Sequence, residues 1–255
     1  MNNSTEIEIS VSKVTCMTSC RLAWKFRYID KLPTYMDANL LLGQAVHHAL
    51  ASFFTHKIST GSNLSMRDLL ELYNNAYDNI PKAQEVRFDK DEDPLETKIK
   101  GLNCLTLYHP QAIQIKPLAV EQFFSFMIPG TGIKFRGYFD LLTEDDWVLD
   151  YKVIAKAYPS DVIQKSLQMQ AYDYAFRATT GKLPKGLSYQ CMVKTKVPRI
   201  DILSGVPHTK ETLDRFLKLS VQVAKDMQSG NYYPSESPMN CSKCSYKDAC
   251  ERWHL

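Results

Sequence analysis

The stretch Gly137-Tyr-Phe-Asp140, followed by Asp150-Tyr151-Lys152, decides the fold of this 255-residue chain. Residues 133–142 and 147–154 are rich in aromatic and β-branched side chains, and an acidic turn at 144–146 separates them, which predicts an antiparallel hairpin. The hairpin brings Asp140 close to Asp150 on the neighbouring strand. Side chains two apart on a strand share a face, so Lys152 lies on the same side as Asp150. We therefore expect two carboxylates and one ammonium group to meet on a β-sheet.

This combination of charged groups suits phosphodiester hydrolysis. Two carboxylates can bind a divalent cation that activates water, while a lysine holds the water and stabilises the pentacovalent phosphate. An acid-x-Lys triplet also arises by chance about once or twice in a chain of this size. Glu96-Thr97-Lys98, in a predicted helix, is such a triplet, so the pattern alone does not identify an active site.

Helices are predicted on the N-terminal side of the hairpin. The helical segments are residues 12–31, Asn39–Phe54 and 65–115, the last with breaks around Pro81 and Asp89–Asp93. Apolar residues recur every three to four positions in the second of these helices, which is typical of a core-facing surface. After Pro117 the Phe-rich segment Val120–Ile128 predicts a strand that completes a three-stranded meander.

The C-terminal side of the hairpin alternates between helix and strand. The predicted elements are a helix over Asp161–Thr180 closed by Gly181, a strand over Leu187–Val193 and a helix over Lys210–Ser229. The fold class is therefore α/β, with a mixed central β-sheet flanked by helices. We expect one domain over 1–255, comprising a mainly helical part at 12–115, the core at 117–230 and a cysteine-containing tail at 231–255.

The composition narrows the class of protein. No apolar run approaches the roughly 18 to 20 residues that a membrane helix needs, which excludes a membrane protein. The first residues lack the basic and apolar regions of a secretory signal, so we expect a cytoplasmic protein. In that reducing compartment the seven cysteines are better interpreted as metal ligands, catalytic thiols or core residues than as disulfides. The net charge of +3 permits a nucleic-acid partner without requiring one.

Other candidate residues are weak signals when taken singly. His47 and His48 are adjacent in a predicted helix and point about 100° apart, so at most one of them can join a given site. An imidazole ligand would shift the metal preference from Mg²⁺ towards Mn²⁺. Gln168 and Tyr172 are four residues apart and share a helix face, and Glu121 begins a predicted strand. Each is more often a structural or solvated residue.

Three cysteines close together near the C-terminus predict a metal centre, namely Cys241, Cys244 and Cys250. Thiolates at this spacing, in a proline-bounded segment, can surround one soft metal centre. The fourth ligand has to come from elsewhere, and Cys20 and Cys16 are both candidates. Spacing alone does not distinguish zinc from an iron-sulfur cluster. Cys104 and Cys191 are predicted to be core cysteines.

Taken in order, these motifs resemble the RecB-like branch of the PD-(D/E)XK nucleases. The order is Gly-x-x-x-His, Glu, Gly-x-x-Asp, Asp-x-Lys and Gln-x-x-x-Tyr. The N-terminal cysteine and the final CxxCxxxxxC resemble the iron-sulfur version found in CRISPR-associated RecB-like exonucleases, AddB-type subunits and phage relatives. The resemblance extends from about Ser12 to Cys250 and is weakest at 55–115. Two positions depart from the pattern: Arg21 stands where the family commonly has proline, and Asp150 stands where many relatives have Glu.

The resemblance implies a restriction-endonuclease-like core and a role for each motif. The implied ligands of Mn²⁺ or Mg²⁺ are the side chains of His47, Asp140 and Asp150 and the carbonyl of Tyr151. The implied catalytic residues are Lys152, Asp140 and Asp150, with Glu121, Gln168 and Tyr172 supporting the site. The implied ligands of a [4Fe-4S] cluster, or of a structural Zn²⁺ as the alternative, are Cys20, Cys241, Cys244 and Cys250. Cys20 is preferred to Cys16 because Cys20-Arg-Leu-Ala-Trp24 leads into an aromatic helix face, as in the family.

The function implied by the resemblance is a metal-dependent DNA exonuclease acting on single-stranded or frayed ends. Integrase or helicase partners are expected on the same ground, and the candidate contacts to the DNA backbone are Lys194, Lys196 and Arg199. One alternative is a CRISPR adaptation nuclease that trims prespacers, as opposed to a phage or repair exonuclease. Another is a non-catalytic DNA-binding or scaffold subunit. In such a subunit the acidic residues have no role, and only the cysteine clasp, the metal centre formed by Cys20, Cys241, Cys244 and Cys250, is functional. The intact Asp140, Asp150 and Lys152 favour a catalyst.

Overall fold

A computed structural model describes residues 7–83 and 85–253 of the chain. The strands in this part are β1 Ile7–Ile9, β2 Met36–Asp37, β3 Val86–Arg87, β4 Pro117–Met127, β5 Ile133–Thr143, β6 Trp147–Ile154, β7 Gly186–Val193 and β8 Arg199–Gly205. The helices are α1 Val11–Ser19, α2 Arg21–Tyr28, α3 Ala38–Thr60, α4 Met66–Ala83, α5 Pro94–Ala112, α6 Val162–Lys165, α7 Leu167–Thr180, α8 Lys210–Gln228, α9 Pro238–Cys241 and α10 Lys247–Glu251.

The main sheet is mixed, as the sequence predicts. Its order is β1-β5-β6-β7-β8, and β4 also pairs with β5. The β5–β6 and β7–β8 pairs are antiparallel, whereas β1–β5 and β6–β7 are parallel. The predicted α/β class, with a mixed central sheet flanked by helices, is therefore confirmed, and so is the meander formed by β4, β5 and β6.

The chain divides into two compact units. The central unit comprises Tyr35–Phe123 and Tyr138–His208. The terminal unit comprises the described chain up to Thr34, together with Phe124–Gly137 and the chain from Thr209 onward. The expectation of a single domain over 1–255 stays a prediction.

Helix α3 lies in the core of the central unit. Asp37 caps its first turn by accepting a hydrogen bond from the backbone N–H of Leu40, and Gly61 ends it at a φ of 71°. Its apolar face packs against α4, α5 and β6, where the Phe54 and Tyr151 rings stack with centroids 6.2 Å apart. The helix runs six residues beyond the C-terminal end of the predicted Asn39–Phe54 helix, as far as the Gly61 cap, and burial of its apolar face fixes the height of His47 above β6.

The predicted helix at 12–31 is wrong in one respect, because it is interrupted at Cys20. This residue is extended, with φ −157° and ψ 113°, so that α1 ends before it and α2 begins after it. In a continuous helix the N–H of Leu22 would bond within the helix. Here it donates to the carbonyl of Tyr233 at 3.0 Å, and the N–H of Ser235 donates to Cys20 Sγ at 3.4 Å. Long-range bonds to the tail therefore replace a turn of helix.

The predicted helix over Asp161–Thr180 is also divided in two. Ser166 is extended, and its hydroxyl accepts the backbone N–H of Met169 as the cap of α7. Pro81 lies inside α4 rather than at a break. Strands β1, β2, β3 and β8 were not predicted, and the first three of these span only two or three residues. No helix in the described part of the chain is both long enough and apolar enough to cross a membrane.

Candidate active site

The two aspartates lie where strands β5 and β6 part. The strands are paired at Leu142–Val148 and Leu141–Leu149, and Asp140 and Asp150 are the next residues along. The backbone N–H of Tyr151 donates to Asp140 Oδ2 at 3.1 Å. A side-chain carboxylate therefore accepts this N–H in place of a backbone carbonyl of β5. Both aspartates are shielded from solvent, with 8% of Asp140 and 0% of Asp150 exposed. The hairpin around the 144–146 turn thus brings the two carboxylates together as the sequence indicated.

His47 reaches the same place from α3. Its Nδ1 lies 3.3 Å from Asp140 Oδ2, and its Nε2 lies 2.8 Å from the carbonyl oxygen of Tyr151. Adjacent ligands in an octahedral Mg²⁺ shell of about 2.1 Å radius are about 3 Å apart, so the imidazole and the carbonyl are close enough to share one ion. His48 is exposed. Of the two adjacent histidines, the structure brings His47 to the aspartates.

Glu121 completes a group of possible ligands on β4. Ligand atoms of His47, Glu121 and Asp140 all lie within 4.8 Å of one another. Glu121 has a φ of 47°, in the left-handed region, and Glu121, Gln122 and Phe123 are all exposed rather than alternating. Strain of this kind in a residue other than glycine is concentrated at functional sites. Sequence reasoning gave Glu121 only a supporting role, because the hydrophobic pattern contains no signal for a left-handed residue inside a strand.

Lys152 is held by two residues. Its Nζ lies 2.7 Å from Asp150 Oδ2 and donates to Gln168 Oε1 at 2.9 Å. Gln168 in turn donates from Nε2 to Asp150 Oδ1 at 2.6 Å. The amide therefore bonds to both members of the ion pair and orients them. The predicted helix face containing Gln168 and Tyr172 does reach the site, with the Tyr172 hydroxyl 3.3 Å from both Asp140 Oδ1 and Asp150 Oδ1.

A further contact to Lys152 was missed by sequence reasoning. Lys152 Nζ lies 5.3 Å from the centroid of the Tyr189 ring, within the range of a cation–π interaction. The Tyr189 hydroxyl is 2.6 Å from Ser166 Oγ. A tyrosine on a buried strand such as β7 is usually a core residue, so nothing in the local sequence marked it.

The electrostatics of the site favour a bound cation. Burial raises the pKa of Asp150, and the neighbouring Asp140 carboxylate raises it further. Burial also raises the pKa values of Asp140 and Glu121. Burial alone would lower the pKa of Lys152, but the Asp150 carboxylate outweighs this effect and the pKa is raised. One ammonium group faces three acids, and a divalent cation would offset the remaining charge. An imidazole nitrogen with carboxylate and carbonyl oxygens fits Mn²⁺ or Mg²⁺.

The four predicted cluster ligands border one cavity in the terminal unit. This cysteine cavity has a volume of about 620 Å³, and its lining includes Cys20, Cys241, Cys244 and Cys250. Cys16 is not among its lining residues. Leu22, Phe26 and Tyr246 form a small apolar cluster beside it. Burial raises the pKa of Cys250, and the neighbouring thiols raise it further. Cys104 and Cys191 are buried in the central unit, as expected of core cysteines.

Two of the three basic residues proposed as DNA contacts have other partners. Lys194 donates to Asn39 Oδ1, and Arg199 pairs with Asp201 at 3.0 Å. Lys196 is exposed. Their role in DNA binding stays a prediction.

Comparison with known proteins gives a match to a family model and similarities to solved structures. The family model of the PD-(D/E)XK nuclease superfamily matches residues 8–251. No curated protein matches the chain. A solved structure from Eubacterium rectale, described as a "putative exonuclease", is similar with a TM-score of 0.61 at 13% sequence identity, covering 99% of this chain and 92% of that one. At this identity the similarity shows the fold alone.

A second solved structure, of the protein SSO0001, covers 94% of each chain at 13% identity with a TM-score of 0.40. That similarity is too low to support an argument.

Proposed function

The chain belongs to the PD-(D/E)XK nuclease superfamily, and from this premise we propose that it is a DNA exonuclease dependent on Mn²⁺ or Mg²⁺. The observation that carries the proposal is the Lys152–Asp150 ion pair, oriented by Gln168, beside the group formed by His47, Glu121 and Asp140. The description of the Eubacterium rectale structure as an exonuclease supports action from strand ends. Single-stranded or frayed DNA is the substrate we propose.

The metal would be held by residues whose side chains lie close together in the structure. These are His47, Glu121 and Asp140, with Asp150 and the Tyr151 carbonyl as further ligands. When bound there, a divalent ion supplies a Lewis acid for the phosphate and lowers the pKa of a water molecule. The family resemblance does not include Glu121 among the metal ligands, and we add it to them.

The protein's own groups then act on the phosphate. Lys152 has three N–H donors, of which one donates to Gln168 Oε1, while Nζ also forms an ion pair with Asp150 Oδ2 at 2.7 Å. A remaining N–H can donate to a phosphate oxygen or to the attacking water, where a fixed positive charge stabilises the pentacovalent state. Gln168 keeps the ammonium from rotating away, and the Tyr172 hydroxyl keeps the two carboxylates in register.

We propose that the protein belongs to the RecB-like iron-sulfur branch of the superfamily, on the basis of the cysteines in its terminal unit. Cys20, Cys241, Cys244 and Cys250 would hold a [4Fe-4S] cluster in the cysteine cavity. The cavity of about 620 Å³ has room for a cluster of several atoms. The hydrogen bond from the Ser235 N–H to Cys20 Sγ is of the kind that stabilises cluster thiolates. Structural Zn²⁺ is the alternative that metal analysis would decide.

The test of the proposed activity is degradation of end-labelled single and double strands with Mn²⁺, Mg²⁺ or EDTA. We expect cleavage from an end in the presence of metal and none in EDTA. His47→Ala should weaken activation by Mn²⁺ strongly, whereas the matched variant His48→Ala should have little effect, because His48 is exposed. A wild-type protein that binds DNA but does not cut it under any metal condition would overturn the proposal in favour of a scaffold subunit.

A further inference from the structure

Two large aromatic rings on neighbouring strands are left half in solvent. Phe123 on β4 is 48% exposed and Tyr138 on β5 is 54% exposed. Their ring centroids lie 5.3 Å apart, and the ring planes meet at 64°. Because the planes are tilted, the two rings form a corner in which one presents its face and the other its edge. Aromatic rings in contact across neighbouring strands stabilise a sheet, and rings that stay half exposed also leave apolar surface available to a ligand.

The aromatic corner adjoins the candidate active site along both strands. Tyr138 is two residues before Asp140 on β5, and residues two apart on a strand share a face. Phe123 is two residues after Glu121 on β4. With a rise of about 3.3 Å per residue, each ring is rooted about 7 Å along its strand from a carboxylate of the metal-ligand group. The left-handed backbone of Glu121 interrupts the alternation of β4 at this point, and Glu121, Gln122 and Phe123 are all exposed.

We propose that Phe123 and Tyr138 stack an unpaired base of the DNA strand that is being cut. The inference rests on the proposed function, since it places the scissile phosphate at the metal group. Stacked bases are about 3.4 Å apart, so a base in the corner belongs to a nucleotide one or two positions from that phosphate. Every base has a π-face, and stacking on aromatic side chains therefore tolerates any sequence.

The corner selects against paired DNA for a geometric reason. A base inside a duplex has both faces covered by its neighbours, whereas an unpaired base near an end can leave the stack and enter the corner. The surface formed by two side chains is too small for a protein partner, because specific protein interfaces bury about 800 Å² on each side. Its position beside the carboxylates points to the nucleotide next to the reacting phosphate.

The test compares an ordinary single strand with one that is abasic over its last few nucleotides. Removing a stacking ring costs about fivefold or more in affinity for a single base. For the wild type we expect kcat/KM to fall at least about fivefold on the abasic strand. The double variant Phe123→Ala/Tyr138→Ala should lose that preference and should match the wild type on the abasic strand, which also shows that its active site is intact.

Two further variants sharpen the result. Tyr138→Phe keeps both rings and should keep the preference for bases. Leu118→Ala truncates another exposed apolar residue of β4, 55% exposed, and should change nothing. The inference is overturned if the double variant keeps the wild-type preference, or if it loses activity equally on both strands. If the wild type cuts no DNA at all, the proposed function fails instead.

Discussion

The site residues of the central unit bond to one another, whereas the cysteines of the terminal unit border a cavity. In the central unit Asp150 is joined to Lys152, Gln168 and Tyr172 by contacts of 2.6 to 3.3 Å. In the terminal unit the apolar cluster beside the cysteines has three buried side chains, Leu22, Phe26 and Tyr246. The cysteine cavity of about 620 Å³ lies beside this small cluster.

This difference between the two units indicates that a bound metal would have a different role in each of them. The central site is arranged by protein hydrogen bonds and by the large core around α3, so a metal bound there would serve the proposed reaction. The tail is tied to Cys20 across more than two hundred residues of chain with little apolar burial of its own, so a cluster bound there would serve the fold. Removing metal from the central unit should therefore mainly abolish activity, whereas removing it from the terminal unit should mainly destabilise the fold.

The largest expected effect is the loss of the cysteine clasp. A bound [4Fe-4S] cluster would make the protein brown, and Cys244→Ala should abolish this colour and destabilise the terminal unit by about 5 kcal/mol or more, because binding of a structural metal centre is coupled to folding. Visible absorption, iron and zinc content and limited proteolysis measure this, and the new cleavage sites should fall in the terminal unit. The matched variant Cys104→Ala should keep the colour. A colourless wild type that contains stoichiometric zinc would show that the cysteines bind zinc rather than a cluster.

The next effect concerns activity rather than folding. Lys152→Ala should lower kcat by about 10²- to 10³-fold, the usual cost of removing one preorganised charge that stabilises the transition state. Binding of DNA, which is spread over contacts to the backbone, should change little. Single-turnover cleavage and fluorescence anisotropy separate the two quantities. Unchanged kcat in a folded variant would show that the lysine is structural.

A smaller effect should appear in the stability of the metal-free protein. The pKa values of Asp140 and Asp150 are raised by burial, that of Asp150 to about 7. A raised pKa in the folded state gives stability that is present below the unfolded value of about 4 and is lost as the pH rises through the folded value. In EDTA the wild type should therefore lose stability between about pH 4 and pH 7.

Asp140→Asn should reduce this loss by about 1–2 kcal/mol, because it removes one of two like charges, while abolishing activity. Thermal denaturation at pH 5 and pH 8 measures the difference, and added Mn²⁺ should stabilise the wild type more at pH 8. Glu96→Gln, at the exposed first residue of the chance triplet Glu96-Thr97-Lys98, is the control. It should leave the pH dependence of stability unchanged, with or without Mn²⁺. Equal pH dependence in wild type and Asp140→Asn would contradict the electrostatic account.

The smallest effect is expected at the ring beside Lys152. Tyr189→Leu should lower kcat about fivefold by removing a cation–π interaction of about 1 kcal/mol. Tyr189→Phe keeps the ring and loses only the bond to Ser166, so it should retain most of the activity. If both variants lose the same amount, the hydroxyl and not the ring positions the lysine.

Much of the fold could be predicted from the sequence because it depends on local patterns. The turn at 144–146, the strand Trp147–Ile154, the helix beginning at Lys210 and the end of α7 at Gly181 agree with the structure. Each is determined by periodicity, a turn or a capping residue. The same patterns placed Asp140 near Asp150 and put Lys152 on the same face as Asp150.

Other features were decided only by the tertiary structure. The extended Cys20 follows from bonds to Tyr233 and Ser235, more than two hundred residues away, and no local pattern encodes them. The left-handed Glu121 places a third acid beside His47 and Asp140 at the cost of backbone strain. Residue spacing reports which side of its own element a side chain faces, whereas a site also requires the distance between elements. Only the packing of the folded chain sets that distance.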